Sequence, residues 1–150
     1  AHVERVIRVT DTALKKLGLA KPRIFVSGLN PHAGEEGLFG SEEIEIIIPA
    51  IARAAQAGIA ASGPFGADTM FRKQGCDAFI VMLHDQGHIA AKLLAFNRTA
   101  GLSIGSPILF SSVAHGSAHD IAGHGVADPG AVIEAVTRLA RVNAQGRDRN

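Results

Sequence analysis

The stretch PRIFVSGLNPHAGEEGLFGSEEIEIIIPAIARAAQAG, residues 22–58, changes its hydrophobic period part-way along. A short, continuously apolar run bounded by Pro22 and Gly28 predicts a strand over 24–27. Ser41, Glu42 and Glu43 then place acceptors at a helix start, and Ile44, Ile47, Ile48, Ile51, Ala54 and Ala55 form an apolar helical face that ends at Gly58. The same alternation continues outward in both directions. Upstream, Val3, Val6, Ile7, Thr10, Leu14 and Leu17 recur at helical spacing until Gly18. Downstream, the runs GIAAS, AFIVML and PILFSSV predict strands near 58–62, 78–83 and 107–113. Pro129 opens a last helix expected to turn Val132, Ile133, Val136, Leu139 and Ala140 inward, and the polar tail 144–150 is expected to fray. Helices alternating with short apolar strands predict a layered α/β/α fold with a mostly parallel sheet. With no repeat and no linker, residues 1–150 read as a single α/β segment.

Composition narrows the classes of function. With 47% hydrophobic and 19% charged residues, the 150-residue chain can bury a sizeable core and is not a disordered segment. The formal net charge is +1 with both signs interspersed, so no basic face points to nucleic acid. A lone cysteine, Cys76, cannot close an internal disulfide, which suits a reducing compartment. No apolar run approaches the roughly 18 residues of a membrane span. The expectation is a cytoplasmic protein with neither nucleic-acid nor membrane partners.

In α/β sheets, ligands bind beyond the carboxyl ends of the strands. His32, His84 and His115 each follow one of the expected strands. One such histidine taken singly is more often a hydrogen-bonded structural residue than a ligand. Several together favour a divalent metal, because two or three imidazoles with an open position make a Lewis-acid site. Asp68 and Asp85 are placed to orient such imidazoles or add an oxygen ligand, and either could equally be a turn or cap residue. The pattern HDQGH at 84–88 imitates the helical His-x-x-x-His zinc motif with Asp in place of Glu. It is set aside here because His84 is expected to end a strand and Gly87 falls in the middle of the supposed helical turn. That leaves His88 in a loop or at a helix start facing the cleft.

The segment HGSAHDIAGHGVADPG, 115–130, is glycine-rich and long for a structureless connection. It lacks the third glycine of a Gly-x-Gly-x-x-Gly fingerprint, yet its glycines permit close backbone approach, and Asp120 offers a carboxylate suited to paired ribose hydroxyls. A non-catalytic metal- or nucleotide-binding module and a structural oligomerisation half remain open on these residues alone.

Four motifs in order, SGLNPHAGEEGLFGSEE, GPFGADTMF, MLHDQGHIAAKLLAF and SVAHGSAHDIAGHGVADPG, closely resemble signatures of the 4-hydroxythreonine-4-phosphate dehydrogenase family. The resemblance covers the carboxyl-terminal half of the family's two-domain enzymes. Its glycine-rich loop also resembles the cofactor loop of isopropylmalate and isocitrate dehydrogenases, which implies an isopropylmalate dehydrogenase-like fold.

The resemblance implies a homodimer whose active site is shared between subunits, a divalent metal (zinc, cobalt, manganese or magnesium), and NAD oxidising a small hydroxy acid with loss of a carboxylate β to the new ketone. His32 and His84 match two of the family's three metal-binding histidines, and the third lies in the half that this chain does not match. Lys92 matches a substrate-contacting lysine, and Asp68 and Asp85 match acidic positions near that site. By analogy with the isopropylmalate enzymes, His115, Gly116, Ser117, Ala118 and Asp120 line the adenosine end of NAD, and Asp128 stands where those enzymes have an adenine-contacting asparagine. Two positions depart from the family pattern. Gly101 falls where a substrate-contacting asparagine belongs, and Phe110 falls where an arginine belongs. Both losses disfavour a phosphate and lean toward a non-phosphorylated cyclic diol acid, as in the family's terephthalate cis-dihydrodiol dehydrogenase branch.

Overall fold

A computed structural model describes residues 1–147 except 96, 97, 109 and 114, and does not describe the side chains of 141–147. The chain divides into two compact units, Ala1–Ala90 and Ala91–Asn150, with the boundary inside a helix.

The first unit is built on a three-stranded parallel sheet in the order β2-β1-β3, where β1 is Arg23–Ser27, β2 is Ala60–Phe65 and β3 is Ala78–Ile80. Alternation along β1 gives the sheet two apolar faces. Ile24 and Val26 are fully buried among Ile7, Ile47, Ile51, Ala54, Ile59 and Ile80. Phe25 points the other way, with its ring centroid 5.0 Å from Phe65 and 6.2 Å from Phe79, both edge-on. Helix α1, His2–Lys16, packs against β3 and against α2, Ile48–Gln56, which also packs on β2. Gly18, at φ 100°, ends α1: its N–H donates to Lys15 and the Leu19 N–H donates to Leu14, the paired bonds of a Schellman cap. Arg53 of α2 donates to Glu4 of α1 at 2.6 Å. That bond and the ones from Arg8 hold the Glu4 carboxyl below its ordinary range.

The helix expected from Ser41 starts differently. No side-chain cap forms, and a widened π turn over Glu43–Ile47 precedes α2. The wider turn shifts the helical phase. Ile47, Ala50, Ile51 and Ala54 are buried, whereas Ile44, Ile48 and Ala55 of the expected face lie outside, and the inward place in the first turn goes to Glu43. Helix α3, His84–Ala95, spans the boundary between the units.

The second unit pairs β4, Ala100–Ser103, antiparallel with β5, Phe110–Val113. The sequence showed only the second of these strands. Against the ribbon packs α4, Gly130–Arg147. Its inward residues are Ala131 and Ala135, while Val132, Ile133 and Val136 are exposed, which corrects the face expected from hydrophobicity. Alanines at i, i+4 let the helix approach the strands closely, so small side chains took the contact instead of large ones. The helix continues to Arg147 where fraying was expected, and the rest of that tail lies outside the described residues. Among the described residues no helix is long and apolar enough to cross a membrane.

Ile24 is fully buried in the middle strand. Ile24→Ala is therefore expected to lower the unfolding free energy by roughly 2–5 kcal/mol in urea titrations. A loss below about 1 kcal/mol would show that this sheet face is not the core.

Candidate functional site

Because β1, β2 and β3 are parallel, their carboxyl ends share one edge of the first unit's sheet. The structure places His32 on the loop after β1, Asp68 in the turn after β2 and His84 just after β3.

The loop after β1 takes an unusual course. Positive φ runs unbroken from His32 to Gly37: His32 53°, Ala33 56°, Gly34 84°, Glu35 43°, Glu36 55° and Gly37 99°. Left-handed backbone costs roughly 1–2 kcal/mol for each non-glycine residue, and four of these six are not glycine. Local bonds recover part of that: the Ala33 N–H donates to Asn30, Leu38 to Glu35, and Phe39 to Gly34.

The largest opposing contribution comes from Glu43, 2% exposed. Its Oε1 accepts the Leu29 N–H at 2.7 Å and the Asn30 N–H at 2.8 Å, and its Oε2 accepts Asn30 Nδ2 at 2.9 Å. Hydrogen bonds to a charged acceptor contribute about 1.5–3 kcal/mol each, comparable with the strain they oppose. Burial alone would raise the Glu43 carboxyl, but donors from Asn30, from its own backbone and from Leu29 outweigh it and hold the group below its ordinary value. Glycine makes the fit possible, since a Cβ on Gly28 would lie 3.0 Å from Glu43 Oε1 and one on Gly34 only 2.6 Å from Oε2. In sequence Glu43 reads only as an acceptor at a helix start, and the structure turns it inward beneath the preceding loop.

The strand expected over 78–83 stops at Ile80, and His84 begins α3 instead of ending a strand. Gln86, which the sequence reading passed over, explains the change. Its Oε1 accepts the Met82 N–H at 2.9 Å and the Leu83 N–H at 3.0 Å, reaching back as in a capping box. It also accepts from Ser27 Oγ at 3.3 Å, and its Nε2 donates to the Gly28 carbonyl at 3.3 Å. One amide thus ties the end of β1 to the start of α3. Gly87 is accommodated inside the helix because Val81 packs onto it, where a Cβ would come within 3.1 Å of Cγ2. His84 and His88 consequently do share a helix face, with rings stacked 4.0 Å apart and 6° from parallel. The strand end expected at His84 and the break expected at Gly87 are thus both replaced by helix.

Both candidate ligands are open to solvent, with side-chain exposures of 66% for His32 and 73% for His84. His32 Nδ1 lies 2.7 Å from Glu35 Oε2, and His84 Nδ1 lies 3.0 Å from Asp85 Oδ1. A carboxylate only accepts, so each Nδ1 donates to it, and in the neutral ring the lone pair then lies on Nε2. Imidazole held by a carboxylate with Nε2 open is the usual arrangement of a metal-binding histidine, so the donor chemistry fits a borderline divalent cation. His32, Ala33, Glu35 and Glu36 line a cavity of about 660 Å³, and His32 stands edge-on to Phe39 at 5.7 Å. Among the described residues no three His, Cys, Asp or Glu side chains converge on one point.

In the second unit Lys92 is exposed on α3. The loop 115–130 is almost wholly exposed. His115 Nδ1 lies 3.0 Å from the Gly116 carbonyl, Ala118 is left-handed at φ 47°, and Asp120 sits in a short turn over His119–Ile121. Gly116 has open space where a Cβ would stand, and Ser117 is exposed beside it. Asp128 has a structural task at the helix entry, accepting the Gly130 N–H at 2.8 Å. In the ribbon, Gly101 pairs with Ser112 and Ser103 with Phe110, so Gly101 and Phe110 lie on one face. Phe110 is 61% exposed there.

These features converge with comparison to known proteins. The family described as pyridoxal phosphate biosynthetic protein PdxA matches residues 1–139, and this chain belongs to that family. It is 51% identical over 146 residues to a putative 4-hydroxythreonine-4-phosphate dehydrogenase 2 of Pseudomonas aeruginosa, covering 94% of this chain and 43% of the relative. The crystal structure of 4-hydroxythreonine-4-phosphate dehydrogenase from Klebsiella pneumoniae superposes with a TM-score of 0.82 at 39% identity, over 93% of this chain and 44% of that one. A terephthalate 1,2-cis-dihydrodiol dehydrogenase from Burkholderia xenovorans superposes with a TM-score of 0.76 at 46% identity, over 95% and 46%. The chain spans less than half the length of each.

The loop's fit around Glu43 makes two glycines unequal. Both Gly34 and Gly37 have positive φ, but an added Cβ at Gly37 meets only Ile44 Cδ1, at an ordinary 3.5 Å. Gly37→Ala should cost roughly 1–2 kcal/mol from backbone strain, and Gly34→Ala clearly more, in urea unfolding. Equal losses would mean the contact with Glu43 is unimportant.

Proposed function

We propose that this chain corresponds to the carboxyl-terminal half of a cytoplasmic, NAD-dependent, divalent-metal-assisted dehydrogenase that oxidises a secondary alcohol β to a carboxylate. The enzyme works as a homodimer with an active site shared between subunits. Its substrate is a non-phosphorylated cyclic diol acid. When bound, the cation supplies Lewis acidity toward the reacting oxygen, and NAD accepts the hydride. His32 and His84 would hold the cation through Nε2, oriented by Glu35 and Asp85, with the remaining imidazole from outside this chain. Lys92 anchors an anionic group of the substrate or relays a proton, and Asp68 supports the site. His115, Gly116, Ser117 and Ala118 present backbone and hydroxyl groups to the adenosine end of NAD, and Asp120 accepts from its ribose hydroxyls.

The observation that carries the substrate class is the ribbon face bearing Phe110 and Gly101. An arginine there would give a phosphate paired charge-assisted bonds of about 1.5–3 kcal/mol each. A phenyl ring gives none and offers an apolar wall to a ring-shaped substrate. Steady-state rates of the full enzyme with terephthalate cis-dihydrodiol should exceed those with 4-hydroxythreonine 4-phosphate. Clear preference for the phosphorylated compound would reject this substrate and favour the vitamin-pathway activity.

The same reading predicts cofactor choice. A carboxylate at Asp120 repels a 2′-phosphate, so NAD should be preferred to NADP, and Asp120→Ala should erode the preference. Equal kcat/KM with both cofactors in the parent enzyme would remove Asp120 from the cofactor site.

A further inference from the structure

Glu43 and His32 do not touch, yet the carboxylate holds the chain on both sides of the imidazole. Ahead of His32, it takes the N–H groups of Leu29 and Asn30 and the Asn30 side chain. Behind it, Gly34 rests on Oε2 so closely that no side chain would fit. Glu42 reinforces the same point, accepting from Asn30 Nδ2 at 2.7 Å. A buried charge is poor core material, because an apolar residue of similar volume generally packs at least as stably. What a carboxylate does that leucine or methionine could not is bind several backbone and amide donors converging from a strained loop.

We propose that Glu43 is a positioning residue for His32: its carboxylate selects the left-handed course of residues 32–37 and thereby fixes where the His32 Nε2 points. The inference concerns the loop itself, and its consequence for metal rests on the ligand reading above. Glutamine is the informative replacement. It keeps the volume and one acceptor, but its NH₂ would face the donors of Leu29 and Asn30 or of the Asn30 amide.

The test uses the full chain and two kinds of measurement. In the metal-free protein, Glu43→Gln should raise amide exchange at Leu29 and Asn30 at least tenfold and shift the His32 ring resonances, while exchange in β1–β3 stays as in the parent. Asn30→Ala, which keeps the buried charge, should reproduce the pattern more weakly and stands in should Glu43→Gln not fold. In cobalt(II) titrations, Glu43→Gln should weaken binding by about ten- to a hundredfold, the range for groups that orient a ligand without touching metal. Combined with His32→Ala, it should add nothing further, because both changes remove one interaction.

Unchanged Leu29 and Asn30 exchange and His32 resonances in both variants would overturn the proposal. So would faster exchange spread evenly through the sheet, or a Glu43→Gln penalty that multiplies onto His32→Ala. If His32→Ala alone leaves cobalt affinity unchanged, the metal reading fails, and the exchange and ring measurements still decide the role of Glu43.

Discussion

A carboxylate that accepts three hydrogen bonds out of contact with water organises the sheet edge in this protein. Glu43 is buried, its acceptors are filled by the loop that follows β1, and that loop holds an unbroken left-handed run which few sequences tolerate. Without a strong opposing interaction, residues 32–37 would relax toward right-handed or extended backbone, and His32 would point elsewhere. The π turn at Glu43–Ile47 belongs to the same arrangement, because the phase shift it introduces accompanies a charged residue in the inward place. Strain and burial, each unfavourable alone, occur together because each makes the other tenable.

A second polar side chain does for His84 what Glu43 does for His32. Gln86 is satisfied by Ser27, Met82, Leu83 and Gly28, so the start of α3 is tied to the end of the central strand. The two candidate ligands thus hang from one strand by different devices, a carboxylate for the loop and an amide for the helix. Among the described residues no buried side-chain nitrogen or oxygen lacks a hydrogen-bond partner, so both devices are complete.

The sequence made legible what depends on period and on strand ends. The parallel strands, α1 with its glycine stop, and the positions of His32 and His84 beyond strand ends at the carboxyl edge follow from local patterns. It concealed what depends on pairing across distance. Glu43 looks like any helix-start acid, since its partners lie 13 and 14 residues away. The capping role of Gln86 is hidden because the apolar run 78–83 suggests a strand continuing to the histidine, and the same pattern keeps His84 and His88 off a common helix face. In α4 the largest hydrophobic residues drew the eye, although Ala131 and Ala135 make the contact. The direction of these misses is consistent: hydrophobicity overstated the reach of strands and the inward face of helices wherever polar or small residues set the geometry.

Those exposed side chains bear on what a chain of this length can do alone. The chain presents two imidazoles that each donate Nδ1–H to a carboxylate, and among the described residues no three His, Cys, Asp or Glu side chains converge. Tetrahedral zinc sites that do chemistry take three protein ligands and leave one position open. Two imidazoles stand at one sheet edge, and large apolar side chains, among them Leu93 and Leu94 on α3 and Ile133 and Val136 on α4, are exposed. The relatives that this chain matches are more than twice as long. Within the first unit, Glu43 anchors the loop that carries His32 and Gln86 anchors the helix start that carries His84, so the backbone beneath both imidazoles is held by hydrogen bonds of this chain alone.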